Sequence, residues 1–168
     1  MKTDWILPDW PAPPRVRAVS TTRNGGCSRG PYAGLNLGDH VGDAPSRVQH
    51  NRRFLAHTLG LSAAPLWLQQ VHGCRVLESG EGGDTSRADA ATTTVPGQVC
   101  AVMTADCLPL LLCNNSGSRV AAVHAGWRGL AAGVIEAALD RFDDPADEIL
   151  AWLGPAIGPA AFEVGNEV

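Results

Sequence analysis

The sequence predicts an α+β domain: a mixed β-sheet with flanking helices. Two observations carry that prediction. The second half of the chain holds apolar runs of strand length, at residues 99–104, 110–113, 120–124 and 149–153. Two other stretches, opening near Pro45 and Gly129, place apolar residues at helical spacing. Strand clusters interleaved with helices in this way suggest an α+β or mixed α/β arrangement.

The elements follow in order. Residues 11–14 (PAPP) are extended, because proline restricts both itself and the residue before it. Residues 15–21 read as a strand. Residues 23–43, RNGGCSRGPYAGLNLGDHVGD, form a long glycine-rich loop, either a functional loop or a surface Ω-loop. Asp43-Ala44-Pro45 opens a helix with Asp43 as its cap. Val48, Leu55 and Leu59 share its apolar face, and Gly60 closes it. Residues 66–71 are strand-like, and 75–78 continue or pair with them. Residues 79–96 read as a loop with a short strand. The runs at 110–113 and 120–124 are strands separated by an Asn-Asn-Ser-Gly-Ser turn. Leu130, Val134, Ile135, Ala138 and Leu139 then form one helical stripe. Residues 143–148 turn the chain, 149–153 form a buried strand, and 154–162 form a rigid loop.

Composition narrows the function. The 168 residues suit a single domain, 1–168, with room for a real core. Thirteen basic and seventeen acidic residues give a net charge of −4, with no electrostatic footprint for nucleic acid. The longest uninterrupted apolar runs are five residues, far short of a membrane span. The first residues match neither a signal peptide nor a lipidation motif, so the expected compartment is the cytoplasm. The five cysteines, Cys27, Cys74, Cys100, Cys107 and Cys113, are odd in number and form no C-x-x-C pair. That argues against a disulfide framework.

Three residues stand at predicted strand ends beside a glycine or a loop: His72, Cys107 and His124. Their spacing matches no short metal motif, so the fold must bring them together. Two imidazoles and a thiolate make a three-ligand zinc site with an open fourth position. The same set suits copper, with Met103 as a weak axial ligand. Without metal, Cys107 and either histidine form a thiolate–imidazole pair. Asp106 is a candidate to orient a ligand histidine or to cap the next turn. Arg128 suits a phosphate or carboxylate clamp or a helix-start ion pair, and Trp127 a stacking or a core role.

QQVHG at 69–73, TADCLP at 104–109, HAGWRG at 124–129 and GPAIGP at 154–159 closely resemble the YfiH-type family. TTRNGG at 21–26, AGLNLGDHVGD at 33–43 and NRRFL at 51–55 extend the resemblance from about Ser20 to the last residue. Members are described as laccase-domain proteins or polyphenol oxidases, and as purine nucleoside phosphorylases with adenosine deaminase activity. The resemblance implies an α+β mixed-sheet fold, related at superfamily level to Cys/His toxin deamidases. It implies that His72, Cys107 and His124 bind a metal, usually described as zinc, with Cu²⁺ the alternative. The implied substrates are purine nucleosides (adenosine, inosine, methylthioadenosine) and phosphate. Arg128 and Arg23 become candidates to hold phosphate. Asn36 becomes a candidate for ribose or base, and Asp106 and Trp127 are grouped with the substrate residues. The other four cysteines are expected to be packing residues. Family members run on past 163-EVGNEV-168, so the last quarter to third of the family domain is expected to be missing. A mononuclear copper oxidase, a Cys107 thiol hydrolase and an inactive truncated fold are the other readings.

Overall fold

The computed structural model describes residues 3–79 and 87–166. The chain divides into two compact units, Met1–Pro8 with Ala18–Ala64, and Asp9–Arg17 with Pro65–Val168. Among the described residues no helix is long and apolar enough to cross a membrane.

The first unit is a glycine-rich loop folded against one helix. Helix α1 spans Pro45–Leu59 and ends at Gly60, which takes the left-handed conformation (φ 61°). Val48 and Leu55 are buried on it, as the apolar spacing requires. Asp43 is not its cap: Ala44 holds that position, and the Asp43 carboxylate instead accepts from the Ser28 hydroxyl, the Asn36 amide and the Ala44 N–H. The surprise on the helix is Asn51, fully buried between Val48 and Leu55 along the chain. Its amide donates to Ser28 Oγ and to the carbonyls of Gly34 and Asn36, and its oxygen accepts the Cys27 N–H. One side chain thus satisfies loop backbone groups that have no ladder of their own. The strand expected at 15–21 does not form; only Ser20 pairs, in an isolated bridge with Ile6.

The second unit is a five-stranded sheet. Its strands are β1 (Val76–Glu78), β2 (Ala90–Thr93), β3 (Leu108–Asn114), β4 (Val120–Ala125) and β5 (Ile149–Leu153), in the order β1-β2-β4-β3-β5. Only β1 and β2 are parallel, so the sheet is mixed as expected. Side-chain alternation gives two faces. Val76, Ala90, Leu110, Leu112, Ala121 and Val123 pack with Val134, Ala138 and Phe142 on one. Leu77 and Ala91 pack with Leu68 and Ala88 on the other, edged by Leu66, Cys100 and Val102.

Four expectations need correction here. Residues 66–71 and 99–104 are not strands. They make isolated parallel bridges, Leu66 to Cys100 and Gln69 to Arg87, and their apolar residues lie over a sheet face instead of joining its edge. The single helical stripe is two short helices, α2 (Trp127–Ala131) and α3 (Val134–Leu139). Gly133, at φ 88°, breaks them, a conformation a side-chain-bearing residue resists. Leu130 is exposed as a result, while Val134 and Ala138 stay in the core. Strand β5 is an edge strand, not a buried one, and its Leu153 is 61% exposed. Among residues 79–96, those at 80–86 lie outside the described residues, and the short strand expected there is β2, buried along its length.

Asn51→Ala should cost about 2–3 kcal/mol in urea unfolding, because it leaves buried donors and acceptors unpaired. The Asp43 carboxyl is held below its ordinary value of 3.8 by the Ser28 and Asn36 hydrogen bonds. Its stabilisation is therefore present above that value and fades as pH falls through the lowered one. The stability gap between the wild type and Asp43→Asn should be full at neutral pH and shrink below pH 3.8, read by unfolding at each pH.

Candidate metal centre

The sheet register assembles most of the site. Strand β4 carries His124, 4% exposed, one residue from its end. On one side β3 pairs Pro109 with His124 and Leu108 with Ala125, so Cys107 arrives at the end of β4. On the other side β2 pairs Ala90 with Val123, and the His124 N–H donates to the Asp89 carbonyl at 2.7 Å. His72 comes from outside the sheet, at the end of the 66–71 stretch. The Gln70 side chain donates to the Met103 carbonyl and accepts its N–H, both at 2.7 Å. Those bonds tie the stretch leading to His72 to the stretch leading to Cys107.

The trio meets as the sequence expected. One nitrogen of each histidine and Cys107 Sγ all lie within 4.8 Å of one another. The two imidazole rings stand edge to face, 4.7 Å between centroids. Two imidazole nitrogens and a thiolate sulfur are donors that zinc and copper both accept, at about 2.0–2.3 Å for zinc. Space agrees with the donor chemistry. A Cβ on Gly126 would sit 2.7 Å from His72 Nδ1 and 3.0 Å from Cys107 Sγ, so only glycine leaves this cradle clear. Burial, then the charges of Asp106 and Asp89, push the Cys107 thiol above its ordinary value. A metal-free thiol nucleophile needs the opposite shift, whereas a bound cation inverts this local balance.

The carboxylate that contacts a histidine of the cluster is Asp89, not Asp106. Asp89 is fully buried, and its Oδ1 lies 2.8 Å from His124 Nδ1. Burial alone would raise its carboxyl; hydrogen bonds from His124 and the Gly73, Val71 and His72 amides hold it below its ordinary value. The signal in the sequence was small: an acid set among alanines, RADAA at 87–91, opening a short strand. Asp106 is exposed, and its carbonyl accepts the Ile157 N–H.

The remaining candidates fall in different places. Arg128 is exposed on α2, its guanidinium 4.2 Å from the centroid of the half-buried Trp127 ring. Arg23 and Asn36 belong to the first unit. Arg23 is exposed and donates to the Ala33 carbonyl. Asn36 donates to Gly38 and Asp43 and accepts from Gly38, so both ends of its amide are engaged within the loop. All five cysteines are free, and Cys113 is buried. Burial pushes the Cys100 thiol up to about 12. Cys74 is exposed and so is not the packing residue expected of it.

If the trio takes up a metal ion, Gly126→Ala should weaken that binding at least tenfold in chelator competition while the far-ultraviolet circular dichroism stays unchanged. Its φ of −69° is open to alanine, so the loss would report the filled cradle.

A Pseudomonas aeruginosa protein named purine nucleoside phosphorylase is 59% identical over 164 residues, covering 98% of this chain and 66% of its own. The Escherichia coli protein named purine nucleoside phosphorylase YfiH is 57% identical over 164 residues, covering 97% of this chain and 68% of its own. The chain thus spans about two thirds of the length of these relatives. The crystal structure of a Neisseria meningitidis protein superposes with a TM-score of 0.91 at 47% identity, over 98% of this chain and 67% of that one. The structure of Bacillus licheniformis YfiH gives 0.81 at 30% identity, over 90% of this chain and 62% of that one. Residues 17–168 match the family described as multi-copper polyphenol oxidoreductase laccase, and with these relatives they place the chain in that family, the one of YfiH.

Proposed function

We propose that His72, Cys107 and His124 hold a zinc ion that serves phosphorolysis of purine nucleosides: adenosine, inosine and methylthioadenosine. Deamination of adenosine would be a second activity of the same centre. The observation that carries this reading is the cluster of three donor side chains, in a chain whose relatives at 57% and 59% identity are named purine nucleoside phosphorylase.

In phosphorolysis, a phosphate oxygen bonds to the anomeric carbon of the ribose as the bond from that carbon to the base nitrogen breaks. The base leaves with the bonding electrons and takes a proton; the other product is the pentose 1-phosphate. In deamination, water adds at C6 of the purine and ammonia departs. When bound, zinc supplies Lewis-acid polarisation and water activation near neutral pH. The residues of the chain orient the reactants. Arg128, in the first turn of α2, offers a planar guanidinium suited to two-pronged hydrogen bonding of phosphate. Trp127, beneath it, keeps that side chain from roaming. The proposed partners are small molecules, not nucleic acid or membrane, and the proposed compartment is the cytoplasm.

The family description favours a second reading, copper chemistry on phenols. The His₂Cys donor set accepts copper. The chain has only five histidines and no H-x-H motif, so the most it could build is a mononuclear site.

The test is metal analysis of protein made without added copper, followed by assays of base and ammonia release from adenosine and inosine. Base release should rise with phosphate and vanish on chelation. Arg128→Ala should raise the phosphate KM tenfold or more, with a smaller change in the nucleoside KM. Stoichiometric copper with phenol-dependent oxygen uptake, and no base or ammonia release, would overturn the zinc reading.

A further inference from the structure

Asp89 is a wholly buried carboxylate, and among the described residues its side chain meets His124 and the amides of residues 71–73. Its Oδ1 faces His124 Nδ1 at 2.8 Å and accepts the N–H groups of His72 at 2.9 Å and Val71 at 3.2 Å. Its Oδ2 accepts the N–H groups of Gly73 at 2.8 Å and Val71 at 3.2 Å. An ionised carboxylate accepts at both oxygens and donates at neither. The proton on the His124 ring must therefore sit on Nδ1, which leaves the lone pair of Nε2 for an ion. The same carboxylate gathers three successive amides, where the chain passes through His72 at φ 58°. That conformation is uncommon for a residue other than glycine and persists only where surrounding contacts hold it.

We infer that Asp89 is the positioning residue of the metal centre: it fixes the tautomer of His124 and holds the Val71–Gly73 turn that delivers His72. Two ligands from distant parts of the chain are thereby referenced to one buried group before any ion arrives. The metal function of this arrangement rests on the zinc reading above; the positioning itself does not.

Asparagine has nearly the same shape and cannot do the same work. With its oxygen toward His124, its NH₂ group meets the Gly73 N–H donor. Flipped, its NH₂ group points at His124 Nδ1 and favours the proton on Nε2, where the ion must bind.

The experiment compares the wild type with Asp89→Asn by nitrogen-15 NMR of the imidazoles and amide exchange at residues 71–73, both on metal-free protein. Zn²⁺ affinity by chelator competition completes it. We expect His124 protonated on Nδ1 in the wild type, that tautomer lost in the variant, and faster exchange at 71–73. Zinc binding should weaken roughly 10- to 100-fold. Protonation of wild-type His124 on Nε2 would overturn the inference, as would a variant that keeps tautomer, exchange and affinity within twofold. If the wild type binds no zinc, the metal reading fails, while tautomer and exchange still decide the role of Asp89. If the variant does not fold, the wild-type tautomer decides it.

Discussion

Strand β4 pairs on both sides, with β2 and with β3, and its register is the constraint on which the rest of the structure depends. Pairing Ala90 with Val123 brings Asp89 beside His124. Pairing Pro109 with His124 brings Cys107 to the same sheet end. A slip of one residue would turn every side chain of β4 to the opposite face. His124 would then enter the apolar layer now filled by Ala121, Val123 and Ala125, and would leave the cluster with His72 and Cys107. The burial pattern protects that register, because five of the six β4 residues are buried.

Close approach is the second requirement. Three polar side chains converge only if the backbone around them is slim. Gly126 leaves the space beside His72 and Cys107 clear, and a Cβ on Gly129 would come within 3.0 Å of the Gly73 carbonyl. The glycines of the HAGWRG segment thus act as spacers between the loop of His72 and the start of α2. The electrostatics follow the same geometry. Burial and neighbouring carboxylates disfavour a lone thiolate at Cys107, and a cation among the three ligands would relieve that cost.

The two units solve the problem of loop backbone differently. In the first, a polar cluster of Ser28, Asn36, Asp43 and Asn51 satisfies the long glycine-rich loop from within. In the second, Gln70 copies a pair of ladder bonds with its side chain, joining two extended stretches that never become strands. Their apolar residues had every local mark of a strand. Periodicity reports that a segment is buried, and these segments are buried as a cover over a sheet face.

Taken alone, the sequence determined the α+β class, the helix at 45–59, the β3–β4 hairpin and the identity of the three converging residues. Hydrophobic spacing and turn chemistry are local, and His72, Cys107 and His124 each stood at the mark of an element's end. Asp89 was not legible, because an acid between alanines acquires meaning only when β4 lies beside it. The edge position of β5 was hidden for the same reason: an apolar run reads alike in the centre of a sheet and at its border. The break at Gly133 replaced one helix with two and moved Leu130 to the surface. Tertiary structure alone decided these points, since each depends on which neighbour the fold supplies, and local sequence carries no record of partners far along the chain.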